Sequence, residues 1–265
     1  MKKVLKVLGG LVGVVVLLVV SLVLFVMVTL KPNVPDETFA LQPRAVVGDR
    51  HVLIFGATGK LGIEIVQDLM QRGDKVTAFV RESSNRSQLE PLGVDFVVGD
   101  VMDYDTVLAG FNAGEYDAVV ATIAGMSVEN LDSQGNINVA DAAVAAGVDR
   151  LIMISSVGAG DSIDAAPLIS RLALSKVLPQ KTAAEDHIRN SELDFTILRP
   201  GGLPPGIVAT GRGVVSEDNM TMGFIKRPDL ARLVVGVLDD DRTVGKTLAV
   251  IDPGLSRPWD GSDPE

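Results

Sequence analysis

A doubly wound α/β sheet is the fold that the sequence predicts, and three observations predict it. From Arg50 onward, short apolar runs rich in Val and Ile alternate with longer segments of helical spacing, the pattern that parallel βαβ units produce. The first of these runs ends in a glycine-rich turn that leads into a helical segment. Once an apolar N-terminus is set aside, the 265 residues suffice for one sizeable domain with a complete core, and a second large domain is not expected.

In chain order, residues 1–30 read as a transmembrane anchor. Val7 to Leu30 is an unbroken run of 24 uncharged, mostly apolar residues. As a helix it would reach roughly 36 Å, enough to cross a bilayer with some tilt. The run far exceeds the ~7–15 residue apolar region of a cleaved signal peptide, and Thr29-Leu30-Lys31-Pro32 offers no small-residue cleavage site. A single-pass membrane protein is expected. Lys2, Lys3 and Lys6 precede the run and Asp36 and Glu37 follow it, a bias that puts the domain outside the cytoplasm.

Residues 31–49 contain Pro32, Pro35 and Pro43 with few apolar neighbours, so they read as an extended stalk. The domain follows over 50–252. Its predicted strands are His51–Phe55, Lys75–Val80, Val94–Val98, Asp117–Ala124, Arg150–Ser155, Asp194–Leu198 and Lys246–Ile251. Between them Lys60–Arg72, Ser133–Ala146, Thr182–Ser191 and Asp229–Asp239 carry the apolar spacing of helices packed on a sheet. Residues 253–265, with Pro, Gly and Ser, read as a flexible tail. Crossovers in such sheets are right-handed and ligands sit at the carboxyl ends of the strands, so functional residues should directly follow strands.

The first turn is where the chemistry starts. After His51–Phe55 comes Gly56-Ala57-Thr58-Gly59-Lys60-Leu61-Gly62, a G-x-x-G-x-x-G spacing inside a βαβ unit of 30 residues, His51 to Val80. A lone glycine triplet is weak, but a strand before it and a helix after it is the context a dinucleotide fingerprint requires. Gly56 would allow the tight turn, Gly59 a close backbone approach to pyrophosphate and Gly62 helix packing, while the helix N-terminus favours negative charge. Thr58 and Lys60 add a hydroxyl and a cation. At the end of the second strand, an acid would hold a ribose hydroxyl and an arginine would accommodate a 2′-phosphate. Arg81 stands there, which favours NADP, and adjacent Glu82 keeps NAD in play. Asp100, ending the third strand, reads equally as an adenine contact or a turn aspartate. Nicotinamide dinucleotides are chiefly cytoplasmic, which opposes the charge bias around the anchor, so the membrane face of the domain stays open.

Composition removes other classes. With 24 Lys+Arg against 34 Asp+Glu the net charge is −10, which argues against nucleic acid as a partner. No cysteine is present, so thiol chemistry, disulfides and Cys-ligated metals are excluded. Two distant histidines give no expectation of a metal.

Gly56–Gly62, Arg81, Gly99-Asp100, Ser155-Ser156 and Leu198-Arg199-Pro200-Gly201-Gly202-Leu203 occur in an order that resembles the atypical short-chain dehydrogenase/reductases, the NmrA-like NAD(P)-binding group. The resemblance covers roughly Arg50 to Asp252 and implies a single Rossmann-type domain. It implies that Thr58, Gly59, Lys60, Leu61, Arg81, Asp100, Val101 and Thr122 line the cofactor and that Pro200, Gly201, Gly202 and Leu203 pass near the nicotinamide. Lys181, in Lys181-Thr182-Ala183-Ala184-Glu185, matches the active-site lysine of the group, and the resemblance implies that it binds the cofactor ribose. The tyrosine expected four residues earlier is Val177, which can neither give nor take a proton. Neither Tyr104 nor Tyr116 is an evident substitute. Ser155 or Ser156 is placed to meet a substrate, although a serine without a base is a poor acid and a strand-end serine more often bonds a loop. His187, on a helix, is more often a surface or packing residue than a catalyst, and His51 is weaker still. Met220 and Met222 read as a flap near the pocket, or as core.

Two functions follow. One is NADPH-dependent reduction of a flavin- or quinone-like acceptor that needs no tyrosine, with Lys181 and Ser155 as catalytic candidates. The other is a non-catalytic NADP-binding sensor or assembly factor for a membrane-protein partner. Fold alone does not choose between them.

Overall fold

Strict alternation along the first strand sets the layers. In β1 (His51–Phe55) the buried Val52 and Ile54 face one side of the sheet and Leu53 and Phe55 the other. The computed structural model describes residues 32–42, 48–125 and 127–257. After β1 come α1 (Lys60–Gln71), β2 (Lys75–Val80), β3 (Asp95–Val98), α2 (Tyr104–Phe111), β4 (Ala118–Ala121), α3 (Asn136–Ala146) and β5 (Arg150–Ile154). The chain continues through α4 (Leu168–Ala173), α5 (Leu178–Arg189), β6 (Asp194–Pro200), β7 (Val214–Ser216), α6 (Arg227–Asp239) and β8 (Lys246–Ile251).

The eight strands lie in the order β3-β2-β1-β4-β5-β6-β8-β7, all pairs parallel except β7 with β8. Phe55 is in register with Phe79 on β2 and with Ala121 on β4. The strand order therefore reverses between β1 and β4, the switch point at which such sheets open a crevice. Ile65, Val66 and Leu69 of α1 pack with Leu230 and Val234 of α6 over one face. Val107 and Phe111 of α2, Val139 and Ala143 of α3 and Ile188 of α5 cover the other. The predicted doubly wound α/β sheet is the fold observed.

Several boundaries differ. The strand predicted over Asp117–Ala124 stops at Ala121, because the chain leaves the ladder there to wall a cavity, and the one over Arg150–Ser155 stops at Ile154, although Ser155 still donates its amide to Leu198 at 2.7 Å. The helix predicted from Ser133 begins at Asn136, after a π-helical turn over Leu131–Gly135. The helix predicted from Thr182 begins at Leu178, with Pro179 in its first turn. Unpredicted elements are the three-residue β7, α4, and α2, whose N-cap Asp103 accepts from the Asp105 amide.

The stalk expectation needs correction. Over residues 32–42 the chain is a strap laid on the domain: Asn33 and Met222 exchange backbone hydrogen bonds of 2.7 and 2.9 Å, and the Phe39 amide donates to the Val215 carbonyl at 2.7 Å. The Gln42 amide donates to Asp240 at 2.8 Å, and Phe39 and Leu41 pack against the core. Apolar side chains hidden among the prolines hold it down. The predicted tail is likewise docked at its start, where Leu255 is buried; its remainder from 258 onward lies outside the described residues. The predicted anchor, Val7 to Leu30, also lies outside them, and among the described residues no helix is long and apolar enough to cross a membrane.

Candidate functional site

Glycine geometry builds the turn after β1. Gly56 sits at φ +82°, where a Cβ would stand 2.7 Å from the Thr122 carbonyl oxygen. A Cβ on Gly62 would meet the Gly56 carbonyl oxygen at 2.2 Å and Ala57 Cα at 2.7 Å, so α1 rests directly on the turn. Gly59 is the N-cap of α1, with no side chain capping that end and no acid in its first turn. The first amides of a helix lack intrahelical acceptors and carry partial positive charge, so this end offers open donors to an anion.

The turn gives onto a cavity of about 340 Å³ at the carboxyl ends of β1 to β4, bordered on the turn side by Gly56, Thr58 and Gly59. Arg81 and Ser84 border it at the end of β2, and Glu82 does not. The Arg81 amide donates to Ser84 Oγ at 3.2 Å, a tight turn that presents both side chains. Asp100 and Val101 form the wall after β3. The turn reading of Asp100 is observed, its carboxylate accepting the Met102 amide at 2.9 Å, and the residue also lines the cavity. Thr122 lines the cavity after β4. Seven predicted residues, Gly56, Thr58, Gly59, Arg81, Asp100, Val101 and Thr122, thus share one cavity. Lys60, Leu61 and Gly62 lie in the first turn of α1, beside it.

Sequence reasoning missed Ser84 and the far wall, Gly125, Val128 and Leu131. The rule that functional residues follow strands would have found Ser84 and Gly125. Nothing local marks Leu131, which is positioned by Asn130 at φ +58° and by the π-helical turn. Such turns recur at functional sites.

Beyond the cavity, Lys181 is buried and its ammonium pairs with Asp132 at 2.9 Å. It also donates to the carbonyls of Ile154 at 3.1 Å and Ile123 at 3.4 Å. Asp132 accepts the Gly125 amide at 3.2 Å. The expectation puts this lysine at a ribose; the structure directs its three donors into the protein, where it ties α5 to the ends of β4 and β5. Val177 is the N-cap residue of α5. Ser155 donates its amide to Leu198 at 2.7 Å, and its buried hydroxyl has no hydrogen-bond partner among the described residues. Ser156 spends its hydroxyl on the Val157 carbonyl at 3.0 Å.

Pro200, Gly201, Gly202 and Leu203 run off the end of β6, outside the cavity. The Gly202 amide donates to Gly223 at 2.9 Å, and a Cβ on Gly201 would collide with the Gly223 carbonyl. Behind them Arg199 is buried in a fork on Glu185, with contacts of 3.0 and 2.6 Å, and also pairs with Asp161. Burial opposes its charge, but the Glu185 and Asp161 carboxylates outweigh that and hold the guanidinium above its ordinary range. Met222 is buried on Val157 and Ala166, the core reading, while Met220 is exposed.

The histidines stand elsewhere. His51 opens β1, at the opposite end from the turn, 2.8 Å from Thr77 Oγ1 and 4.6 Å from the Tyr116 ring. Burial first, then Lys75, lowers its pKa. His187 makes an exposed 2.6 Å pair with Asp141. Among the described residues no cluster of three or more His, Cys, Asp or Glu could hold a metal.

A family model described as NAD(P)H-binding matches residues 56–241. An uncharacterized chloroplast protein of Arabidopsis thaliana is 31% identical over 222 residues, covering 77% of this chain and 78% of that protein. The photosystem II assembly factor Ycf39 of Synechocystis is 24% identical over 225 residues, 80% of this chain and 64% of its own length. Among solved structures, the anaerobilin reductase ChuY of Escherichia coli superposes with a TM-score of 0.71 at 29% identity, covering 78% of this chain and 99% of that one.

Proposed function

The chain belongs to the NAD(P)H-binding family, in the atypical short-chain dehydrogenase/reductase group, and from that premise we propose that it is a membrane-anchored, NADPH-dependent reductase of a flavin- or quinone-like acceptor. The observation that carries the reading is a prepared dinucleotide cradle combined with apolar Val177 where a proton donor would stand. An acceptor that takes its protons from solvent needs no such donor. The similarity to an enzyme named a reductase supports the same reading.

The cradle fits the cofactor. Gly56 and Gly62 leave no space for a Cβ, so backbone donors approach the pyrophosphate at the uncapped end of α1. Arg81 and Ser84 would hold a 2′-phosphate, the arginine by its planar fork, which selects NADP over NAD. Asp100, Val101 and Thr122 wall the cavity around the adenine nucleoside. When bound, the nicotinamide ring supplies a hydride. Pro200 to Leu203 border the reacting end, Lys181 holds the strand ends in place, and the Ser155 hydroxyl is a free polar atom for a substrate oxygen. The Val7–Leu30 run anchors the domain in a single pass, beside a lipid-soluble acceptor.

A second reading has its own support: Lys181 is engaged within the protein, and a relative is named an assembly factor. In that reading the chain holds NADP as a sensing ligand while binding a membrane-protein partner. Fluorescence titration of the full chain with NADPH and NADH, followed by flavin and quinone acceptors, tests both. Consumption of NADPH sustains the reductase, binding without consumption sustains the sensor, and failure to bind either nucleotide refutes both. A reporter fused to the C-terminus reads the membrane face.

A further inference from the structure

An apolar patch on the described surface lies beside the point where the predicted anchor would join the domain. Leu168, Ile169 and Leu172 project from one side of α4 and are 54, 45 and 68% exposed; Ile163 before them is 39% exposed. Single exposed apolar residues are ordinary, but four grouped on one short segment call for a partner. The same stretch is anomalous in charge. Residues 165–180 contain no Asp or Glu and carry Arg171 and Lys176, within a chain of net charge −10; Arg171 also makes a solvent-exposed 3.4 Å pair with Asp164, just before this stretch. An apolar face flanked by cations is the composition of a helix that lies in a membrane interface.

The strap fixes where the bilayer would be. Its Asn33 exchanges backbone hydrogen bonds with Met222, and the Asn33 side chain donates to the Met220 carbonyl at 2.7 Å. Met222 packs on Val157 and Ala166, and Ala166 stands two residues before α4 begins. The uncharged run ends at Leu30, three residues from Asn33, a span of at most about 11 Å. An anchor leaving the membrane there delivers the domain with this side toward the lipid.

Resting on the proposed anchored reductase, we infer that the α4 face docks on the bilayer, with Leu168, Ile169 and Leu172 dipping into its interface and Arg171 and Lys176 meeting anionic headgroups. The loop that follows β5 then faces lipid, and an apolar acceptor enters from the membrane rather than from water.

The chain has no cysteine, so single labels are unambiguous. Leu172→Cys on α4 and Val144→Cys, an exposed position on α3, are each labelled with an environment-sensitive fluorophore in the full chain. Each is reconstituted into phosphatidylcholine and phosphatidylglycerol vesicles containing doxyl-labelled phosphatidylcholine, after unfolding curves matching the unsubstituted chain show that it is folded. The expected result is loss of emission at 172 and none at 144. Flotation with the vesicles but no quenching at 172 overturns the docking and leaves the anchor standing. A blue shift at 172 without quenching assigns the face to a protein neighbour, such as a second copy, and also overturns it. Failure of the chain to float removes the anchor and the docking together.

Discussion

Replacing Lys181 with methionine separates a structural lysine from a cofactor-binding one. The substitution keeps most of the side-chain volume and removes the charge. The Asp132 carboxylate would be left buried with the Gly125 amide at 3.2 Å, and the carbonyls of Ile154 and Ile123 would lose their donor. Both side chains of the pair are almost inaccessible, 5 and 1% exposed, so solvent does not screen the loss. Removing one partner of a buried pair costs about 3–5 kcal/mol. For a domain of this size that lowers the Tm by roughly 6–20 °C. Lys181→Met combined with Asp132→Leu should recover much of it, because no uncompensated charge stays inside. Denaturant unfolding of the three chains, read with NADPH titration, gives the answer. A Lys181→Met chain within about 0.5 kcal/mol of the unsubstituted protein, but with NADPH binding lost, would refute the structural account and return the lysine to the ribose.

Other outcomes are expected on the same grounds. Arg81→Ala should weaken NADPH by roughly ten- to hundredfold, the worth of a hydrogen-bonded charge, and leave NADH nearly unchanged in the same titration. Gly62→Ala, whose Cβ would stand 2.2 Å from the Gly56 carbonyl oxygen, should cost about 1–3 kcal/mol in unfolding experiments and abolish tight nucleotide binding. Hydrogen bonding from Arg242 depresses the Asp240 pKa to about 2. A depressed carboxylate contributes stability above its unfolded pKa, near 3.9, and that contribution is lost as pH falls through its folded value. Unfolding measured from pH 5 down to pH 2 should show a steeper acid loss in the unsubstituted chain than in Asp240→Asn, which carries no such proton linkage.

The parts legible in the sequence were those whose signals are local. β1, β2 and β8 match their predicted bounds because a buried parallel strand is a continuous apolar run closed by turn residues. The glycine turn was readable because strand, spacing and helix all fall within one βαβ unit. β7 was not, since three residues pairing at a sheet edge carry no periodicity. α2 had a readable start in Asp103 that went unused. The pairing of Lys181 with Asp132 joins residues far apart in sequence, and the strap's packing depends on a pocket that only the folded domain provides. The cavity wall formed by Gly125, Val128 and Leu131 rests on a left-handed asparagine and a π-helical turn, for which composition gives no sign.

The strap bears on how this protein is kept from sticking to itself. β7 ends the sheet, and a terminal strand exposes unpaired backbone groups to which another chain can add. Here Phe39 donates to Val215 on that outer rim and Ser216 Oγ donates to the Glu37 carbonyl, so the rim is already occupied from within the chain. A protein begun at Arg50 would have the whole nucleotide-binding sheet but an unguarded border, with the site vacated by Phe39 and Leu41 laid open beside it. Such a shortened chain should self-associate, and should do so most at high concentration, even while its cradle remains intact.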